Sequence, residues 1–145
     1  MGLNAIVYRN ISNLTLDTKD EHPLVDKQTG EVYFDNPKLA QEYGENVFTA
    51  AQKRLGNAAS IGSIKAEIPL EIIDKLSLLY DKVLYSASHS GDFISVERLE
   101  DLESEINLLK EKTASSKSPS LESFIEDMIE LIKAAKEQRN PIVFV

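Results

Sequence analysis

Short apolar runs stand at both ends of this chain, and apolar residues recur at helical spacing through much of its middle. Leu3 to Arg9 reads Leu-Asn-Ala-Ile-Val-Tyr-Arg, rich in β-branched and aromatic residues, and predicts a strand. Asn10 and Asn13 are turn-prone, and Leu14 and Leu16 alternate with threonine and aspartate, predicting a short second strand. The polar stretch Asp17 to Asp26, interrupted by His22-Pro23, predicts a loop. Lys27-Gln-Thr-Gly30 is a turn signal leading into Glu31-Val-Tyr-Phe-Asp35, read as an exposed strand or hairpin arm.

Asn36-Pro37 then opens a predicted helix, with asparagine as cap and proline at the first helical position. Its Leu39, Tyr43, Val47, Ala51 and Leu55 recur every four residues; Gly44 weakens it, and Gly56-Asn57 is its terminator. Ala58 to Lys65, with small residues and a second glycine, predicts a tightly packed loop. Pro69 begins the next helix, with Ile72, Ile73, Leu76, Leu79, Tyr80 and Val83 on one face. Ser95 is the expected cap of a third helix, whose inner face is Leu99, Leu102, Ile106 and Leu109. After the polar linker Thr113 to Ser118, Ser118-Pro119 repeats the cap-then-proline signal. The helix it starts turns Leu121, Phe124, Ile125, Met128, Leu131, Ile132 and Ala135 inward and ends at Arg139-Asn140-Pro141. Ile142-Val-Phe-Val145 is too apolar to lie in water, since burying one such side chain is worth about 1.5–3 kcal/mol. It is expected to add a strand beside Leu3 to Arg9. The expected fold is α+β: one globular domain over residues 1–145, whose small antiparallel or mixed sheet contains both terminal strands under about four helices.

Composition fits such a domain, with 42% hydrophobic residues and a length that buries a substantial core. No apolar run approaches the roughly 18 residues of a membrane span. The start of the sequence carries no basic leader before a long apolar stretch, so no signal peptide is expected. Gly2 invites N-myristoylation, but Ile6 stands where Ser or Thr is wanted. The absence of cysteine removes thiolate chemistry, disulfides and cysteine-held metals, and a cytoplasmic location is the simplest expectation. The net charge of −8 is uneven: residues 97–130 hold ten acids against four bases. That sign disfavours nucleic acid and favours a basic protein partner.

The densest chemistry is Tyr85-Ser-Ala-Ser-His-Ser-Gly-Asp-Phe-Ile94. Serine, histidine and aspartate are the residue types of a nucleophilic relay, but adjacent in one loop their side chains diverge, and the Gly-x-Ser-x-Gly elbow is absent. Turn chemistry accounts for the cluster better: Gly91 permits a positive backbone angle, Ser90 and Asp92 close the turn, and His89 packs against or caps the preceding helix. As a recognition loop, its contact candidates are Ser86, Ser88, His89, Ser90 and Asp92, joined by the acids Glu97, Glu100 and Asp101. His22 and His89, with Asp17, Asp20, Glu21 and Asp26, are too few and too scattered for zinc, and the Asp-x-Asp-x-Asp-Gly calcium spacing is missing, so no metal or other cofactor is expected. Gly56-x5-Gly62 lacks the Gly-Lys-Ser/Thr of a nucleotide loop.

Three segments together, Met1-Gly-Leu-Asn-Ala-Ile-Val-Tyr8, Leu84-Tyr-Ser-Ala-Ser-His-Ser-Gly-Asp-Phe-Ile94 and Asn140-Pro-Ile-Val-Phe144, resemble a group of small uncharacterised bacterial proteins. Some compact acidic proteins of that kind resemble the immunity proteins of bacterial toxin systems, which neutralise a toxin by binding it. The resemblance implies a non-enzymatic inhibitor acting by steric occlusion and assigns no site residues. Two rival readings are a small enzyme or ligand-binding protein using His89 and Asp92 in a pocket, and a structural adaptor of a phage or secretion system.

Overall fold

The computed structural model describes residues 2–10, 24–33, 48–89 and 91–145. Its central element is β1 (Leu3–Tyr8), whose Leu3, Ala5 and Val7 join the main core while Ile6 is buried on the opposite face. On one side β1 pairs antiparallel with β4 (Thr49–Gly56). On the other it pairs with β6 (Ile142–Phe144), which carries β5 (Phe93–Ile94) on its outer edge, giving the order β4-β1-β6-β5. The expected union of N- and C-terminal strands is therefore present, extended by the Val145 N–H donating to the Asn4 carbonyl at 2.9 Å. A separate hairpin joins β2 (Leu24–Val25) to β3 (Val32–Tyr33).

The helical layer packs on the Leu3/Ala5/Val7 face. It comprises α1 (Ala58–Glu67), a 3₁₀ turn (Leu70–Lys75), and the short α2 (Ser77–Leu79), which widens into a π turn (Tyr80–Leu84). A second 3₁₀ turn (Val96–Arg98) leads into α3 (Leu99–Lys112), and α4 (Pro119–Gln138) follows. Ser118 caps α4 through the Leu121 N–H, Pro119 occupies its first turn, and all seven apolar residues assigned to its inner face are buried. Charged pairs then tie β4 to α4 and α4 to α3. Lys53 on β4 contacts Glu130 and lies 3.9 Å from Asp127 of α4, and Lys136 of α4 reaches Glu103 of α3 at 3.0 Å. The Glu105 carboxylate accepts the Leu78 and Leu79 N–H groups at 3.2 and 2.8 Å, satisfying donors at the start of α2. Burial nevertheless pushes Glu105 above the ordinary carboxylate range, outweighing those bonds.

Five sequence expectations are corrected. The first is the continuous helix expected from Pro69 through Val83, which breaks at Leu76 into a 3₁₀ turn followed by the short α2 and its π turn. The predicted helix over Asn36–Leu55 opens outside the described residues, but its end, Thr49–Gly56, is strand. Residues four apart share a face in a strand as well as in a helix, and pairing with β1 sets Lys53 against Ala5 and Ala51 against Val7 on the core side. Ala58–Lys65 is helical rather than a loop. Asn57 starts α1 with a reciprocal cap: the Ser60 N–H donates to Asn57 Oδ1 at 2.9 Å, and the Asn57 N–H to Ser60 Oγ at 2.8 Å. Leu24–Val25 is strand within the expected Asp17–Asp26 loop. Ser95 makes no side-chain cap; the chain enters α3 through the 3₁₀ turn instead. The expected Leu14/Leu16 strand lies outside the described residues.

Candidate functional site

The last carbonyls of a helical segment lack donors within it. His89 supplies one, because its Nε2 lies 3.0 Å from the Val83 carbonyl oxygen. A carbonyl only accepts, so Nε2 carries the hydrogen. The imidazole sits between the rings of Tyr85 and Phe144, at 4.5 and 4.6 Å between centroids, and its side chain is 3% exposed. His89 therefore caps the π turn and packs against β6, as the turn reading of the sequence anticipated. Its Nδ1 is buried without a hydrogen-bond partner; Asp92 Oδ2 lies 3.4 Å away but is not aligned as a hydrogen bond.

Asp92 accepts instead from the Tyr85 hydroxyl. That bond to a carboxylate, helped by partial burial and the carboxylate charge, pushes the phenol up to about 12. The backbone explains why a glycine precedes Asp92. The Asp92 N–H closes the turn on the His89 carbonyl at 3.2 Å. The Gly91 N–H donates to the Phe144 carbonyl, and the Phe144 N–H donates to the Asp92 carbonyl, both at 2.8 Å. Two residues thus oppose one, with Gly91 at φ +97, which is the hydrogen-bond signature of a glycine bulge. The bulge anchors the loop to the buried strand β6.

Of the eight contact candidates, His89 is buried and Ser90 lies outside the described residues. Ser86 is half-buried, its hydroxyl accepting the Ser88 N–H at 3.1 Å, and Ser88 is exposed. Asp92 is half-exposed, and Glu97, Glu100 and Asp101 are exposed, with Asp101 3.6 Å from the Arg98 guanidinium. Of the candidates among the described residues, Asp92 alone lines the neighbouring hollow. Gly91, Asp92 and Arg98 line a hollow of about 240 Å³ with β5, Leu78 and Lys82. Lys82 and Arg98 were not singled out from sequence, because only the folding of the π turn beside β5 makes them neighbours. The hollow gathers two cations, one carboxylate and strand backbone, groups that bind by charge and hydrogen bonding.

Of the candidate metal ligands, His22, Asp17, Asp20 and Glu21 lie outside the described residues. Asp26 is engaged in its own turn, accepting the Gln28 and Thr29 N–H groups at 2.8 and 3.1 Å, which holds its carboxyl below the ordinary range. Among the described residues no three His, Asp or Glu side chains are grouped to hold a metal ion, and no helix is long and apolar enough to cross a membrane. Comparison with known proteins returned no match among family models, curated proteins or solved structures.

Proposed function

We propose that this chain is a binding protein for a basic protein partner, acting as an immunity-type inhibitor that occludes a bacterial toxin sterically in the cytoplasm. What supports this reading above a small enzyme is the use made of His89. The one histidine of the Tyr85–Ile94 tract is buried, its Nε2 donating to a backbone carbonyl and its unbonded Nδ1 closed off from solvent, so no basic nitrogen faces a substrate. The acids next to the loop point the other way. Glu97 and Glu100 are exposed and make no ion pair among the described residues, whereas Glu103, Asp127 and Glu130 are spent on contacts between elements. An unpaired acidic ridge beside a firmly anchored loop accelerates encounter with a basic surface and lowers the cost of ordering the contact.

The test is affinity capture with the tagged chain from a lysate of its native host. The reading predicts retention of a basic protein that salt elutes; recovery of only neutral or acidic proteins contradicts it. The neighbouring gene offers an independent check on the inhibitor role. A secreted-toxin gene upstream supports that role, and a metabolic operon counts against it.

A further inference from the structure

β5 ends the described sheet, and among the described residues no strand pairs with its outer edge. The bulge fixes which groups that edge presents. With Gly91 and Asp92 bonded to Phe144, the alternation of an antiparallel ladder makes Ile94 and Ile142 the next bonded pair. Phe93 then turns its N–H and C=O away from β6. An edge of this kind is a template for another strand unless something covers or repels it.

Two hollows flank the edge, and both are lined by Phe93 and Ser95. The first, described above, reaches the core residues Leu78 and Ile94, so it lies on the helical face of the sheet. The second, of about 310 Å³, lies between β5 and the β2–β3 hairpin and touches no member of the main core cluster. Its apolar lining includes Val25 and Val96, each 39% exposed. Successive residues of a strand point to opposite faces, so an added strand fills one hollow with each alternate side chain.

Charge selects the occupant. A chain of net charge −8 repels a second copy of itself over most of its surface. Around β5 that repulsion is absent. The first hollow sets Lys82 and Arg98 against Asp92, and the second sets Lys27 and Arg139 against Asp26 and Glu97. The patch is balanced to within one charge, carries both signs and exposes apolar side chains, which is the composition a self-complementary two-fold contact requires. We propose that β5 pairs antiparallel with β5 of a second copy of this chain, joining two four-stranded sheets into one across a two-fold axis. This surface shares Asp92 and Glu97 with the loop and acidic ridge proposed for the basic partner, and it stands or falls without that reading.

Sedimentation equilibrium of the full chain across roughly two decades of concentration tests it. The expected result is a concentration-dependent monomer–dimer equilibrium. Phe93→Pro removes an outward N–H that the β5–β6 ladder does not use, and Val96→Asp places a charge in the exposed apolar lining. Each should weaken dimerisation at least tenfold; where Phe93→Pro disturbs the far-UV spectrum, Val96→Asp decides alone. A monomer at every concentration overturns the proposal, as does a dimer that Val96→Asp leaves unchanged.

Discussion

Replacing Gly91 by alanine isolates the backbone contribution of the loop. A methyl group built at Gly91 meets nothing within 4 Å, so the substitution creates no clash and removes no contact. What it changes is conformational. At φ +97 a residue with a Cβ is strained by about 1–2 kcal/mol. The unfolded chain becomes less flexible in return, which offsets about 0.4–1 kcal/mol. The net expectation is a loss of about 1 kcal/mol, and Gly91→Asn should cost less because asparagine tolerates left-handed backbone. Gly62 provides an internal control of opposite sign. It lies in the exposed face of α1, also with nothing within 4 Å, and alanine there should stabilise by about 0.8–1.0 kcal/mol through helix propensity alone. Urea unfolding monitored by circular dichroism reads both variants, and the two should differ by about 2 kcal/mol. Should Gly91→Ala prove neutral or stabilising, the bulge that fastens the loop to β6 is not held in solution and the reasoning from φ fails.

The other expectations concern the groups around that loop. His89→Ala removes a packed ring and leaves the Val83 carbonyl without its donor, so stability should fall by about 2–4 kcal/mol in the same urea assay; a loss under 0.5 kcal/mol (a rough surface-substitution scale) contradicts a capping role. Tyr85 should be the last tyrosine to ionise in a spectrophotometric titration, near 12, and Asp92→Asn should bring it back toward 10 by removing the carboxylate. Glu105→Ala leaves the Leu78 and Leu79 N–H groups without their acceptor and should cost about 1–3 kcal/mol. Because the folded state raises the Glu105 carboxyl above its ordinary 4.5, its protonated form binds the fold better. Its contribution is fully present below 4.5 and is lost as pH rises through the raised value, so Glu105→Gln should flatten that segment of a stability–pH profile.

Legibility from sequence followed how many periods a pattern satisfies. The α4 stripe from Leu121 to Ala135 fits only a helix, and Ser118-Pro119 marks its start, so both its face and its boundary were readable. The Ala51/Leu55 spacing fits a strand equally well, and the deciding factor, pairing with Leu3–Tyr8, is remote in the chain. α1 hid for a different reason: its outer face is built of Ala58, Ala59, Gly62 and Ser63 rather than charges, so the inward Ile61 and Ile64 lacked the polar contrast that announces a helix. Within the loop, local chemistry was enough to place Gly91 at a positive angle and His89 as a cap, since both act on neighbours in sequence. The hollow beside it was invisible, because Lys82 and Arg98 meet Asp92 only once the π turn folds beside β5.

The most direct test of the binding account is the affinity of the captured partner for the intact chain against a variant carrying Glu97→Lys, Glu100→Lys and Asp101→Lys. All three side chains are exposed, so the variant should fold as the parent does. The account predicts an association rate that falls with added salt in the parent and an affinity at least tenfold weaker in the variant. Equal affinities, insensitive to salt, contradict it.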